Sequence, residues 1–162
     1  DRTDEDMKIW PASPFGHILF SDGDAIYNVD DLQGMTGTND FEQADAQLGM
    51  TGFEDAISAL YDSDDNDVAD QTAWFYVMER NITDVPVIPS ASGSSFVTGI
   101  LWDSGDANPG EYNGNQDIVF ITKVLNQSVG GFGTYDYEIT VPTQLQRQTG
   151  VTDLLMRHIE LR

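Results

Sequence analysis

Short apolar runs that alternate with polar residues and stop at glycine, proline or aspartate constrain this chain more than any other feature. In the clearest of them Tyr135, Tyr137, Ile139 and Val141 alternate with Asp136, Glu138 and Thr140. A period of two puts one set of side chains on each face of a strand, so a half-buried strand is predicted there. Residues 96–102 and 118–125 are further predicted strands, joined by a Gly/Asp/Asn-rich loop. Residues 73–78 (Ala-Trp-Phe-Tyr-Val-Met) read as a buried strand. Residues 85–89 contain Pro86 and Pro89, which lack the ladder donor, so an edge or a connection is expected. Residues 154–161 read as a last strand rather than a helix. Nearer the N-terminus, residues 17–20 and 25–29 flank Ser21-Asp22-Gly23-Asp24, a hairpin-turn pattern. Short strands at regular spacing predict a mainly β fold built as an antiparallel β-sandwich.

Helical periodicity is confined to the middle of the chain. Phe53, Ile57, Leu60 and Tyr61 recur at the spacing of a short amphipathic helix. Nearby lies an imperfect repeat, Gly34-Met35-Thr36-Gly37 and, 15 residues on, Gly49-Met50-Thr51-Gly52. Two copies are too few for a solenoid. With 162 residues one domain is expected. The division predicted is an extended polar N-terminal arm, residues 1–10, and one sandwich domain, residues 11–162, with a helical insertion near residues 38–62.

The charge is lopsided. Asp and Glu number 28 against 7 Lys and Arg, a formal net charge of -21. Of the acids 21 are Asp, whereas only Lys8 and Lys123 are lysines. Asp offers a hydrated carboxylate on a short stem, and Lys adds exposed hydrocarbon. At ordinary salt about twenty uncompensated charges on one small body repel and destabilise it. At molar salt the Debye length falls to about 3 Å and most of that cost disappears. The competing account is an acidic, calcium-loaded secreted domain at ordinary salinity. Such a surface repels phosphate backbones, which disfavours nucleic acid as a partner. No cysteine is present, so disulfides and thiolate chemistry are excluded. No apolar run approaches the roughly 20 residues of a membrane span, so no transmembrane segment or signal peptide is expected in this chain.

The segment Gly133-Thr134-Tyr135-Asp136-Tyr137-Glu138-Ile139-Thr140-Val141-Pro142 resembles the penultimate strand of immunoglobulin-like domains, where a Gly-x-Tyr pattern marks the tyrosine corner. The resemblance implies an immunoglobulin-like sandwich in which the Tyr135 hydroxyl bonds upstream backbone. Residues 118–125 would be the preceding strand and residues 154–161 the last. Together with Gly99-Ile100-Leu101-Trp102-Asp103 and the acidic loop after it, the chain resembles secreted cell-surface and filament proteins of halophilic archaea.

The stretch with most chemistry is Asp62-Ser63-Asp64-Asp65-Asn66-Asp67-Val68-Ala69-Asp70. Calcium takes six to eight oxygens, and acids at alternate loop positions converge on one point. Asp62, Asp64, Asn66 and Asp70 fit positions 1, 3, 5 and 9 of an EF-hand-type loop. Position 6 is Asp67 instead of glycine, and position 12 is Ala73 instead of the bidentate glutamate. A solvated acidic loop closing the helix is the competing reading. A second oxygen-rich loop, with Asp103, Asp106, Asn108, Glu111, Asn113 and Asp117, carries ordinary turn residues and reads as a long hairpin loop. Two sequons, Asn81-Ile82-Thr83 and Asn126-Gln127-Ser128, are candidate glycosylation sites at Asn81 and Asn126.

Nothing selects a catalytic constellation. His17 and His158 lack metal spacing, and no nucleophile elbow, Walker loop or dinucleotide fingerprint is present. Trp74, Phe75 and Tyr76 would stack sugars if exposed, but alternation buries at least half of them. The expectation is a non-enzymatic extracellular structural protein of a halophile, a subunit of a surface filament, surface layer or adhesive assembly. Its partners would be copies of itself or other surface proteins, with strand addition through residues 7–10 as a route. A calcium- or carbohydrate-binding module and a virion protein of a halophile virus are the alternatives.

Overall fold

The computed structural model describes residues 15–22, 29–36, 39–105, 111–141 and 155–161. In chain order the elements are β1 (Phe15–Asp22), β2 (Leu32–Gly34), α1 (Asp40–Gln47), α2 (Ile57–Tyr61), β3 (Thr72–Val77), β4 (Arg80–Pro89), β5 (Val97–Asp103), β6 (Ile118–Leu125), β7 (Ser128–Gly130), β8 (Gly133–Tyr135) and β9 (Leu155–Leu161). The fold is mainly β and antiparallel, with few helices. One sheet runs β3-β4-β5-β6-β1-β9, and β2 pairs with the end of β5 that β4 leaves free. β7 and β8 form a separate two-stranded ribbon.

The layering follows from β6, which is apolar at both odd and even positions and therefore needs cover on both faces. On one face, Val119 and Ile121 join Leu19 and Leu101 beneath Phe75, Val77, Ile82 and Val85 of the β3–β4 hairpin. The sheet curls so that its own first hairpin roofs its centre. Gly99 makes the approach possible: a Cβ there would lie 3.0 Å from the Phe75 ring and 2.9 Å from Ile121. Burying Phe75 completely is worth roughly 2–3 kcal/mol. On the opposite face Ile100, Trp102, Ile118 and Phe120 pack against the helical insertion through Phe41, Ala44, Leu48, Ile57 and Tyr61. The two Gly-Met-Thr-Gly copies have a common purpose here, since Met35 and Met50 are both fully buried in this second cluster.

The insertion is capped from within. α1 ends in a Schellman motif, with Met50 N–H donating to Asp45 O (2.7 Å), Gly49 N–H to Ala46 O (3.3 Å) and Gly49 at φ 67°. Ala56, at the N-cap of α2, has no capping side chain. The buried Asp45 carboxylate supplies it from α1, accepting from Ile57 N–H (2.5 Å), Ser58 N–H (3.2 Å) and the Ser58 hydroxyl (2.6 Å).

Several expectations need correction. The half-buried strand over Tyr135–Val141 ends at Tyr135. Ile139 and Val141 still turn inward onto the helical-side cluster, but hydroxyl groups replace the ladder. Thr140 N–H donates to Thr98 Oγ1, the Thr140 hydroxyl to Ser90 O, and the Ser90 hydroxyl to Glu138 O. Residues 85–89 lie inside β4, not at an edge. β4 exchanges β3 for β5 around Pro86, where Thr72 pairs with Pro86 and Val87 with Gly99. That exchange is where a missing donor is tolerated. The run 73–78 is buried on one face only. The immunoglobulin-like arrangement placed residues 118–125, the Tyr135 segment and the last strand in succession. Here β6 pairs with β5 and β1, β8 with β7, and β9 with β1. Tyr135 lies across Gly130 of the ribbon and is 40% exposed. The expected N-terminal arm, most of the Ser21–Asp24 turn with residues 25–28, and residues 106–110 of the second oxygen-rich loop fall outside the described residues.

Candidate functional site

Two places gather chemistry. The first is the acidic loop that follows α2. The Asp62 carboxylate is buried and organises it, accepting from Asn66 N–H (3.1 Å) and Asp67 N–H (2.8 Å). Asp70 closes the loop, its carboxylate accepting from the Ser63 hydroxyl (2.6 Å) and its N–H donating to Tyr61 O (2.8 Å). Asp65 and Asp67 adopt φ 56° and 62°, so Asp67 takes the left-handed conformation that a glycine would supply at position 6. Carboxylate oxygens of Asp62, Asp64 and Asp70 lie within 4.8 Å of one another. That spread suits one ion at calcium–oxygen distances of about 2.3–2.6 Å. The Asn66 Oδ1 accepts from Val68 N–H (2.9 Å). The expected ligands Asp62, Asp64 and Asp70 therefore converge, and two of these are already committed to shaping the loop.

The second place is the outer face of the β3–β4 hairpin, which holds the Asn81 sequon and the rings that alternation was expected to bury in large part. Phe75 points inward, so Trp74 and Tyr76 point outward, 58% and 40% exposed. They line an open concavity of about 730 Å³ with Thr72, Asn81, Thr83 and Asp84. The register explains its width. Tyr76 pairs with Asn81 and Ala73 with Val85, and a bulge sets both Thr83 and Asp84 opposite Trp74. Asp84 adopts φ 56° to make that bulge. Met78 and Glu79 form the hairpin turn, both at positive φ. Arg80 ties the hairpin down by donating to Val29 O (2.5 Å) and Leu32 O (2.6 Å). Beneath Trp74 the Lys123 ammonium lies 4.5 Å from one ring centroid and 5.2 Å from that of Phe75. Desolvation in that position lowers the Lys123 pKa.

Of the sequons, Asn81 is exposed in β4 just after the hairpin turn, and Asn126 is exposed in the turn between β6 and β7. The histidines, distant in sequence, fall on neighbouring strands, with His158 opposite Leu19 and Glu160 opposite the buried His17. The His17 ring meets Phe75 edge-on at 6.0 Å. Burial pushes the Tyr61 hydroxyl well above its ordinary value, and it donates to Thr98 O (3.3 Å) as a core anchor. No helix of the described residues is long and apolar enough to cross a membrane. Compared with family models, curated protein sequences and solved structures, the chain matches none.

Proposed function

We propose that this chain is a non-enzymatic structural protein on the outer surface of a halophile, a subunit that assembles with copies of itself into a filament, layer or adhesive array. The brine half of the reading is supported by arithmetic: 28 carboxylates against 7 basic residues leave a formal excess of 21 negative charges. Two of those basic residues also bond elsewhere, Arg80 to main-chain carbonyls and Lys123 over aromatic rings. The observation that carries the assembly half is the sheet order, which ends among the described residues in β3 on one side and β9 on the other. A sheet edge is a template for another chain's strand. Ile159 of β9 is half exposed there, an apolar contact that such an addition would cover.

Residues 7–10, outside the described residues, are the expected donor strand. Deleting residues 1–10, and separately substituting Ile159→Lys, should each abolish polymers seen by electron microscopy in molar salt while leaving a folded monomer. Normal assembly of both variants would remove the strand-addition reading. Thermal unfolding should rise steeply from dilute buffer to about 2 M KCl as screening sets in. Full stability in dilute buffer without divalent ions would remove the brine reading. The Trp74–Tyr76 face favours a second function, a module that binds free carbohydrate, because exposed rings beside amide, hydroxyl and carboxylate groups suit a sugar's apolar and polar faces.

A further inference from the structure

We infer that Asn81 carries an N-linked glycan whose first sugars lie on the Trp74–Tyr76 face of the same hairpin. Three independent features meet there. Asn81 and Thr83, the two reactive members of the Asn81-Ile82-Thr83 sequon, are both exposed and both line the concavity that holds the rings. Asn81 is the direct cross-strand partner of Tyr76, so a sugar joined to its Nδ2 starts beside that ring. The bulge widens the floor toward Trp74 and places Asp84 and Thr83 where sugar hydroxyls need acceptors and donors. A large apolar area on a chain otherwise covered in carboxylates is thereby given an occupant tethered a few ångströms away.

The second sequon differs in kind. Asn126 is exposed, but Ser128 is half-buried within β7. Its neighbour Gln127 is held to the Asp136 carboxylate through both its N–H (3.0 Å) and its side-chain amide (3.2 Å). The hydroxyl-bearing residue that a transferase must reach is exposed in the first sequon and half-buried within a strand in the second. Modification is therefore directed to Asn81.

The chemistry is a transfer from a lipid phosphate-linked or diphosphate-linked oligosaccharide. A bond forms between Asn81 Nδ2 and the sugar's anomeric carbon, the carbon–oxygen bond to the phosphate leaving group breaks, and the amide nitrogen gives up one proton. No oxidant or reductant takes part. Once attached, the glycan trades water on two ring faces for sugar C–H groups and keeps its hydroxyls on the polar rim.

The inference rests on the extracellular reading above, since the donor is met on the secretory route. The test therefore uses the full chain secreted from a host with N-glycosylation machinery, analysed in molar salt by peptide mass mapping at Asn81 and Asn126. Acrylamide quenching of tryptophan fluorescence follows, with Trp74→Phe identifying the Trp74 component against Trp10 and the buried Trp102. The expected result is a glycan on Asn81 and a fall of about twofold in Trp74 quenching relative to Asn81→Gln, as one ring face becomes covered. Thr83→Ala, which removes the sequon and keeps Asn81, should behave as Asn81→Gln does, and Asn126→Gln as the parent. Secreted, folded protein with Asn81 unmodified overturns the inference, and free oligosaccharide that then protects Trp74 supports the carbohydrate-binding module instead. A glycan at Asn81 with quenching equal to Asn81→Gln overturns the stacking. Loss of polymer formation in any of these proteins bears on the assembly reading alone.

Discussion

Asp45 is where a buried charge most clearly determines local structure, and Asp45→Ala is the perturbation that tests it. Its carboxylate satisfies Ile57 N–H, which is fully buried, and two part-buried donors of Ser58. A hydrogen bond to a charged acceptor contributes about 1.5–3 kcal/mol net, and a buried donor left without a partner loses the full value. Taking about 2 kcal/mol at Ile57 and about 1–2 kcal/mol for the Ser58 pair gives a loss of ~3–4 kcal/mol. For a chain of this size that lowers Tm by roughly 6–16 °C. Asp45→Asn keeps one acceptor oxygen but turns an amide donor toward Ser58, so about half of the loss is expected. Both should be measured by thermal and denaturant unfolding in molar KCl, where surface repulsion is screened. Amide exchange at Ile57 and Ser58 should accelerate in parallel. Because α2 leads straight into Asp62, the loop amides of Asn66 and Asp67 should loosen too. A loss below about 1 kcal/mol for Asp45→Ala, with unchanged exchange at Ile57, would refute the account of how α2 is capped.

Other outcomes follow from the same geometry. Met78 and Glu79 hold a turn that favours Asn-Gly, so the double change Met78→Asn, Glu79→Gly should stabilise by about 1 kcal/mol in equilibrium unfolding, and a loss would show that the Met-Glu pair makes compensating contacts. Gly99→Ala should cost about 1–3 kcal/mol and make Trp74 fluorescence more quenchable, because its methyl meets Phe75, Val85 and Ile121 at 3.0 Å or less; a neutral result would mean that the roof over the sheet sits higher than described. Calcium should raise Tm at concentrations of about 0.1–1 mM, and Asp64→Asn with Asp70→Asn should abolish the rise while leaving the Asp62 turn bonds; equal responses in both proteins would leave the loop a turn without an ion. Desolvation lowers the folded-state pKa of Lys123, so the folded chain releases this proton at lower pH than the unfolded chain does. The cost of charging it is thus fully present below the folded pKa and is relieved as pH rises through that value toward the ordinary lysine range. The stability gap between the parent and Lys123→Met should shift in the parent's favour over that interval, and a pH-independent gap would refute the assignment.

What the residues announced on their own was set by short-range chemistry. Residues 118–125 and 96–102 carry enough β-branched and aromatic side chains to be strands in any sheet, and the strands here are Ile118–Leu125 and Val97–Asp103. Ile57, Leu60 and Tyr61 fall in the expected helix, although Phe53 lies before it and is exposed, and the alternate acids of residues 62–70 located a loop that folds on itself. The hairpin turn at Met78-Glu79 carries no local signal, because neither residue favours positive φ. Without it the run of residues 73–78 has no visible partner, and the outward face of Trp74 and Tyr76 stays hidden in an apparently buried strand. Tyr135–Val141 shows the converse: its alternation is real, yet Ser90, Ser94 and Thr98 offer hydroxyls where a strand would offer a ladder.

Composition and periodicity alone determined that this chain would be an acid-coated, mainly antiparallel β protein with a small helical insertion, since hydration and side-chain alternation depend on neighbours in sequence. Which faces were covered was decided only in three dimensions. The curl of β3–β4 over Gly99, the exchange of partners around Pro86 and the meeting of Asn81 with Tyr76 each depend on contacts between strands, and such contacts leave no period in the sequence.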